Sequence, residues 1–576
     1  LRGLGASRTL VLINGRRLMT GDPNTTTSAA DLNFIPSALV KRVDVLTGGA
    51  SATYGADAVA GVVNFVMDNE FDGFKIDANY GLFMHNNRNK VTPPLLNARQ
   101  AQGFSGFDYP KGSTTDGGQY DVTAAFGTPL GDRGHATAYV SYRKANAILQ
   151  ARRDYSACTI QSNDSLGNGF TANSPLQCGG SATSATGTAF YFQSDTTSST
   201  VGALGAGTLT RGTLNRYNFA PLNYFQRPDE RYTAGVFADY EISEAIHPYM
   251  EFMFMDDRTL AQIAPSGDFG NTLTINCDNP LMSASQKAQL CVPANLINGY
   301  RGTFPLAKNA GYNPNPNAAP LVFTDPTTGN QYNKAFFQLL RRNVEGGARV
   351  SDLQHTAVRT VIGSRGELGK AWSYDAYYQY GRTNYSQVYS NEFSIARLNN
   401  ALDAVRNPAN GQIVCRSALS GTDPNCVPYD VFGGTPSAAS IAYLNATGFL
   451  KGQTSQQVLS AAFTGLLGEY GVQSPLASDG VNVALGVEYR RDALELKADN
   501  AFNTGDLTGQ GAPTKDTAGN YKVTELFGEV DIPLIQDGVV ENLSFNGGYR
   551  YSHYKISNGR TFNTDKLKLC IDLSPI

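Results

Sequence analysis

The side chains able to make or break bonds are few and scattered. The five histidines, His85, His135, His247, His355 and His553, stand far apart and form no H-E-x-x-H or similar ligand set. His85, placed by the sequence in the first long connection, is positioned to touch a bound molecule, although a solvated loop histidine is the plainer reading. No G-x-S-x-G elbow, Walker loop or G-x-G-x-x-G following a strand occurs, and nothing marks two carboxylates for acid–base work. No catalytic residue, metal ligand or cofactor site is assigned, and the chain reads as a non-enzyme.

Sulfur chemistry is the exception. Of seven cysteines, Cys158, Cys178, Cys277, Cys291, Cys415 and Cys426 fall two by two into three successive long connections, and Cys570 stands alone in the last strand. Their spacing lacks the C-x-x-C of zinc or dithiol sites. Local disulfides in an oxidising compartment are the natural reading, with connectivity open. Segments rich in Asn, Ser, Gly and Tyr, such as Tyr217 to Tyr224 and Tyr300 to Tyr312, offer hydrogen bonds and stacking faces to a sugar or a chelate.

The elements that must hold these residues are strands. The 576 residues carry a net charge of −3 with 16% charged residues, which argues against a nucleic-acid partner. Glycine (60), tyrosine (30) and phenylalanine (29) dominate over a single tryptophan, an all-β, turn-rich composition. From about residue 70 the hydrophobic period is two. Phe74, Ile76, Ala78, Tyr80 and Leu82 alternate with Lys75, Asp77, Asn79 and Gly81, and the pattern recurs from Val481 to Arg490 and from Leu543 to Ser552. An oily face opposite a polar one suits a sandwich or a membrane barrel.

Connection lengths separate those two. About twelve strands are expected, near 72–83, 118–130, 134–148, 230–243, 246–262, 345–368, 371–389, 453–469, 480–497, 520–533, 541–557 and 563–574. Short turns such as 129–134 alternate with long segments, near 149–229 and 263–344 among others, so all the long connections lie at one end, as in outer-membrane barrels. No run reaches the roughly 18 apolar residues of a membrane-spanning helix. The chain starts at Leu1 without a signal and ends at Ile576 inside a turn, and it reads as a piece of a longer precursor.

Residues 1–69 differ in texture, with short β-branched runs at Thr9 to Arg17, Leu39 to Leu46 and Gly61 to Met67, and a turn at Ile35-Pro36 entering a brief helix. This stretch resembles the plug of a TonB-dependent outer-membrane receptor. The resemblance rests on Leu1-Arg2-Gly3, on RTLVLINGRR (Arg8 to Arg17), on Ile35-Pro36, and on VKRVDVLTGGASATYGADAVAGVVN (Val40 to Asn64). FGEVDIPL (Phe527 to Leu534) and GGYRYSHY (Gly547 to Tyr554) resemble the family's barrel. The plug-motif positions are Arg2, Gly3, Arg8, Asn14, Gly15, Pro36, Arg42, Asp44, Gly48, Gly49, Tyr54, Gly55, Gly61 and Asn64. Thr47 departs from the pattern, which often has Arg there.

The resemblance implies a mostly β fold: a small mixed α/β plug domain (1–69) followed by antiparallel up-and-down transmembrane β-barrel strands (70–576), the first part of a wall of about 22 strands. It also implies an outer-membrane receptor and transporter of a Gram-negative bacterium, importing a scarce nutrient by loop binding and plug rearrangement. The nutrient could be an iron-siderophore, cobalamin, haem, an oligosaccharide or a peptide. Its partners would be the TonB energy-transducing complex, engaged through a box upstream of Leu1, the small nutrient ligand and outer-membrane lipid. A passive porin and a secreted β-rich hydrolase are the alternatives. A plug must be held and must yield, and hydratable arginine–carboxylate pairs meet both demands. Arg2 and Arg42 are the expected plug contributors, with Glu488 and Glu529 on the wall because strand parity puts both carboxylates on the polar face.

Overall fold

A computed structural model describes residues 1–25, 29–47, 53–162, 175–193, 199–298, 319–433 and 435–574. In the N-terminal domain the apolar runs become β1 (Thr9–Ile13), β2 (Arg16–Arg17), β3 (Val40–Leu46) and β4 (Gly61–Met67), with sheet order β2-β1-β4-β3. Strands β1 and β4 run parallel with Leu10 opposite Val62, and β3 pairs antiparallel with β4. The proline at 36 leads into a single 3-10 turn, Ser37–Leu39. Gly61 is required where it stands: its φ is 136°, and a Cβ there would lie 2.2 Å from the Leu46 carbonyl oxygen.

Strict alternation from residue 73 onward gives one antiparallel sheet of twelve strands in which sequence neighbours are also space neighbours. They are β5 (Gly73–Asn87), β6 (Gly112–Pro129), β7 (Gly134–Ala145), β8 (Asp229–Tyr240), β9 (His247–Pro265), β10 (Ala348–Leu368), β11 (Trp372–Phe393), β12 (Asn445–Leu466), β13 (Asn482–Ala498), β14 (Thr517–Gln536), β15 (Asn542–Ile556) and β16 (Thr561–Ser574). The mostly β class and all twelve expected strands are found. Several strands extend beyond their expected bounds, β12 starting at Asn445, because strand ends that rise past the apolar band no longer need to alternate.

Parity decides what each side meets. On β13, Leu485 is 51% exposed and Glu488 8%; on β15, Tyr549 is 48% exposed and Arg550 1%. Polar groups therefore face the N-terminal domain while apolar ones face outward, the inverse of a soluble protein. The turns 130–133, 241–246, 369–371, 467–481 and 537–541 lie at one end of the sheet. The described parts of segments 88–111, 146–228, 266–347, 394–444 and 499–516 lie at the other, with the short turn 557–560. Among the described residues no helix is long and apolar enough to cross a membrane, which leaves strand crossing untouched.

The long segments fold together. A five-stranded sheet joins Thr208–Arg211, Thr200–Gly205, Thr188–Tyr191, Gln338–Arg342 and Gly267–Phe269 in that order. Helix Ala284–Leu290 is started by a capping box between Ser283 and Gln286. Tyr191, Leu290, Phe337, Leu402, Tyr429 and Phe432 share one core. Disulfides Cys158–Cys178, Cys277–Cys291 and Cys415–Cys426 staple this cap, and Cys570 is a free, exposed thiol.

Candidate functional site

The N-terminal domain meets the wall through an apolar patch surrounded by charge. Ile13, Leu18, Met19, Phe34, Leu39 and Met67 form one core with Ala125, Tyr139, Phe237, Met253, Met255 and Ala357 of the wall. That patch gives adhesion without direction, and the polar pairs set the register.

Those pairs come from a hairpin. Asn14 and Gly15 have φ of 51° and 79°, the left-handed pair that Asn-Gly supplies to a two-residue turn. The Asn14 amide donates to Glu251 Oε1 at 3.0 Å and accepts from the Met67 N–H at 2.8 Å, so the turn is tied to the wall and to its own sheet. The Gly15 N–H donates to Asn64 Oδ1 at 2.8 Å. The chain then presents two successive arginines to opposite sides. Arg16 Nη2 lies 2.9 Å from Asp375, Nη1 lies 3.5 Å from Glu251, and its guanidinium stands 4.4 Å from the Tyr249 ring centre. Burial opposes its charge, but Glu251, Tyr249 and Asp375 outweigh that and hold its pKa above the ordinary value.

Arg17 Nη1 is 2.8 Å from Asp57 and Nε is 3.5 Å from Glu488. Asp57 is shared with Arg490 of the wall at 2.9 Å. Burial pushes the Asp57 carboxyl up, and Arg490 and Arg17 more than reverse this, holding it below the usual carboxylate range. Gln379 donates to the Arg17 carbonyl at 2.8 Å, and Thr454 to the Thr20 carbonyl at 2.8 Å. On the far side Arg550, paired with Glu525 at 2.6 Å, donates to the Thr53 carbonyl at 2.6 Å, while the Thr53 hydroxyl donates to Glu529. Among the described residues, buried Arg16 Nε, Glu488 Oε1, Arg490 Nε and Arg550 Nε have no hydrogen-bond partner, so entering water finds sites to satisfy.

The expected clamp residues are therefore redistributed. Glu488 takes Arg17 and Glu529 takes Thr53. Arg42 lies on an exposed edge strand and pairs with Asp44 at 3.1 Å; Arg2 is exposed, with no ion pair among the described residues. Neither contacts the twelve described strands: Arg42 lies on β3, the exposed edge of the small sheet, and Arg2 in the exposed turn that precedes it. Arg8 donates to the Leu4 carbonyl, and the Tyr54 carbonyl accepts from Arg17. Gly3 and Gly55 have positive φ, and a Cβ on Gly55 would stand 3.1 Å from Arg17 Nη2. Pro36 is buried, whereas Gly48 and Gly49 lie outside the described residues. The segment 300–312 lies wholly outside them too. His85 is not in a loop: it lies in β5, two residues before its end, 3.3 Å from Asp154 and edge-on to Tyr155 at 5.3 Å.

Toward the cap a cavity of about 410 Å³ opens above the N-terminal domain, lined by Asp22 and Asn24 below and by Arg227, His355, Tyr385 and Gln387 of the wall and cap. Asn24 Nδ2 donates to the Tyr385 hydroxyl at 3.2 Å, which donates to Gln387 at 2.7 Å. The His355 ring stands 5.1 Å from that of Tyr385. Among the described residues no cluster of His, Cys, Asp or Glu could hold a metal ion.

Residues 1–62 match the family profile described as TonB-dependent Receptor Plug Domain. The N-terminal domain is thus similar to the plug of TonB-dependent receptors. Solved structures similar to the chain include the ferric enterobactin receptor PfeA of Pseudomonas aeruginosa, in complex with BCV-L6, at 13% identity and a TM-score of 0.43, covering 99% of this chain and 53% of that one. The siderophore receptor PirA of Acinetobacter baumannii is similar at 11% and 0.40, covering 99% and 52%. The ferric yersiniabactin uptake receptor FyuA of Yersinia pestis is similar at 10% and 0.38, covering 100% and 54%. The chain thus spans about half the length of each. The plug's motif residues divide by role: Asn14, Gly15, Tyr54, Gly55, Gly61 and Asn64 shape or dock it, and Arg16 and Arg17 of the same motif carry the charge.

Proposed function

We propose that this chain supplies the plug, residues 1–69, and the first wall strands, residues 70–576, of an energy-coupled outer-membrane receptor that imports a scarce nutrient of the iron-siderophore type. The reading is carried by one observation: a plug seated by Arg16 and Arg17 against carboxylates of a sheet whose outward face is apolar. The cavity above the plug receives the ligand among Asn24, Arg227, His355 and Tyr385. TonB then pulls the plug, and water entering the unsatisfied clamp lowers the cost of its release. No bond is made or broken, no cofactor is resident, and the apolar outer face sits in the lipid of a Gram-negative outer membrane.

The test is uptake of iron-55 ferric siderophores by cells expressing the full-length gene, with and without TonB. Accumulation that vanishes without TonB supports the reading. Accumulation that persists identifies a passive pore, and a freely soluble protein would refute the membrane assignment.

A further inference from the structure

The outward face of the wall carries an unanswered row of positive charge toward the cap. Arg491 of β13 stands directly opposite Lys522 of β14, and Lys522 directly opposite Lys555 of β15. By parity all three share the outward face with the exposed Leu485, Leu526 and Tyr549. Neighbouring strands lie about 4.8 Å apart, and like charges set directly opposite one another repel. None of the three has an ion pair among the described residues, and Arg491 Nε is buried without a hydrogen-bond partner there. The outward carboxylates of β13 to β16 are engaged elsewhere: Glu495 by Lys497 at 3.1 Å and Gln453 at 3.1 Å, and Asp565 by the Tyr549 hydroxyl.

Elsewhere the same face is balanced. Lys144 meets Glu230 at 3.9 Å, and Arg258 meets Asp352 at 2.6 Å. The surplus therefore belongs to β13, β14 and β15 and not to the whole rim. Its height also matters. From Val483 to Arg491 a strand climbs about 26 Å, roughly 20 Å of membrane at the usual tilt of about 40°. An outward apolar band is about 25 Å tall, so the row stands where acyl chains give way to headgroups, on the side of the cap. An anion that answers the row lies outside the wall, and the apolar side chains beneath it suit an attached hydrocarbon chain.

We propose that Arg491, Lys522 and Lys555 bind the phosphate of an anionic lipid in the outer leaflet, its acyl chains running down over Leu526 and Leu485. The phosphate oxygens accept from one guanidinium and two ammonium groups, and their charge offsets the repulsion along the row. The site rests on the reading of the outward face as embedded in lipid; its role is to anchor the wall, and import does not require it.

The test uses the full-length gene product in uncharged detergent, with short-chain phosphatidic acid, phosphatidylcholine of the same chain length and inorganic phosphate as probes. Phosphatidic acid should bind at least about tenfold more tightly than phosphatidylcholine, and the double variant Lys522→Gln, Lys555→Gln should lose at least about tenfold of that preference. Inorganic phosphate bound as tightly as phosphatidic acid, or an undiminished preference in the double variant, overturns the proposal. Lys522→Gln alone gives a second readout. Its melting temperature in uncharged detergent should rise, because the repulsion at the centre of the row is gone, and the further rise that phosphatidic acid gives the unaltered protein should shrink. A lipid-dependent rise as large as before is equally fatal. The expected lipid preference in a protein that supports no TonB-dependent uptake would refute the transport reading and leave the lipid site standing.

Discussion

Arg17 stands between a plug carboxylate, Asp57, and a wall carboxylate, Glu488, and is 6% exposed. Removing its charge leaves Asp57 to Arg490 alone and Glu488 to Arg550 at 3.8 Å, so Arg17→Gln should lower stability by about 2 kcal/mol, read as a shift of the urea midpoint. Arg42→Gln touches only an exposed pair and should cost under about 0.5 kcal/mol; equal losses would contradict the assignment. The pH dependence has a definite sign. Asp57 has a folded pKa below its unfolded one, so its contribution is fully present above about pH 4 and is lost as pH falls through the folded value. Asp57→Asn should flatten the acid limb of midpoint against pH, and an unaltered limb would show that the carboxylate stabilises nothing. The sequence held a signal for these residues that was not read. Asn14-Gly15 is a hairpin turn, and two arginines straight after it occupy both faces of whatever strand follows. Expecting Arg2 and Arg42 instead followed from weighing motif membership over position, since strand order, and hence which strand is the outward edge, is not written in the local pattern.

At the scale of elements, the twelve wall strands were legible because a two-residue period is a local property, met residue by residue by an apolar outer face and a polar inner one. The cap was not. Thr188–Tyr191 pairs with Gln338–Arg342 across a wide stretch of chain, and strands that short carry no period. What the sequence did show was the cysteines, whose joined pairs close loops of 20, 14 and 11 residues. The cap also has a charged centre. Arg416 reaches Asp278 at 2.8 Å, Asp403 at 3.1 Å and Asp325, and lies 3.7 Å from the Tyr332 ring centre. Burial pushes Asp325 up, yet backbone N–H groups of Thr328 and Thr327 together with Arg416 hold it below the usual range. A cap with its own core, staples and ion cluster is a folded lid-frame rather than a set of independent loops. Arg416→Met should therefore open 266–347 and 394–444 to protease together while the wall's β signal in circular dichroism persists. Cleavage confined to one segment would argue that the loops fold separately.

Over the whole molecule the question is what closes the wall. Its sheet ends at β5 and β16, neither paired on its outer side among the described residues, and both carry exposed apolar rows: Phe74, Ile76 and Tyr80 on one, Leu567, Leu569 and Ile571 on the other. The plug adds a third open surface, since Val43, Val45 and Leu46 of β3 are about half exposed. Alternation reports which way each residue faces but not how many strands complete the circle, so closure was beyond reach of the sequence except through resemblance. In hydrocarbon each unpaired N–H or C=O costs several kcal/mol, and two unpaired edges outweigh what the apolar face gains. This chain by itself should accordingly fail to insert as a stable monomer, running without heat-modifiable migration after reconstitution into vesicles, while Cys570, on the lumen-facing parity of the open edge, reacts freely with a maleimide. A heat-modifiable, protease-resistant monomer with a shielded Cys570 would mean that twelve strands close on themselves, and the plug could then no longer sit where Arg16 and Arg17 now hold it.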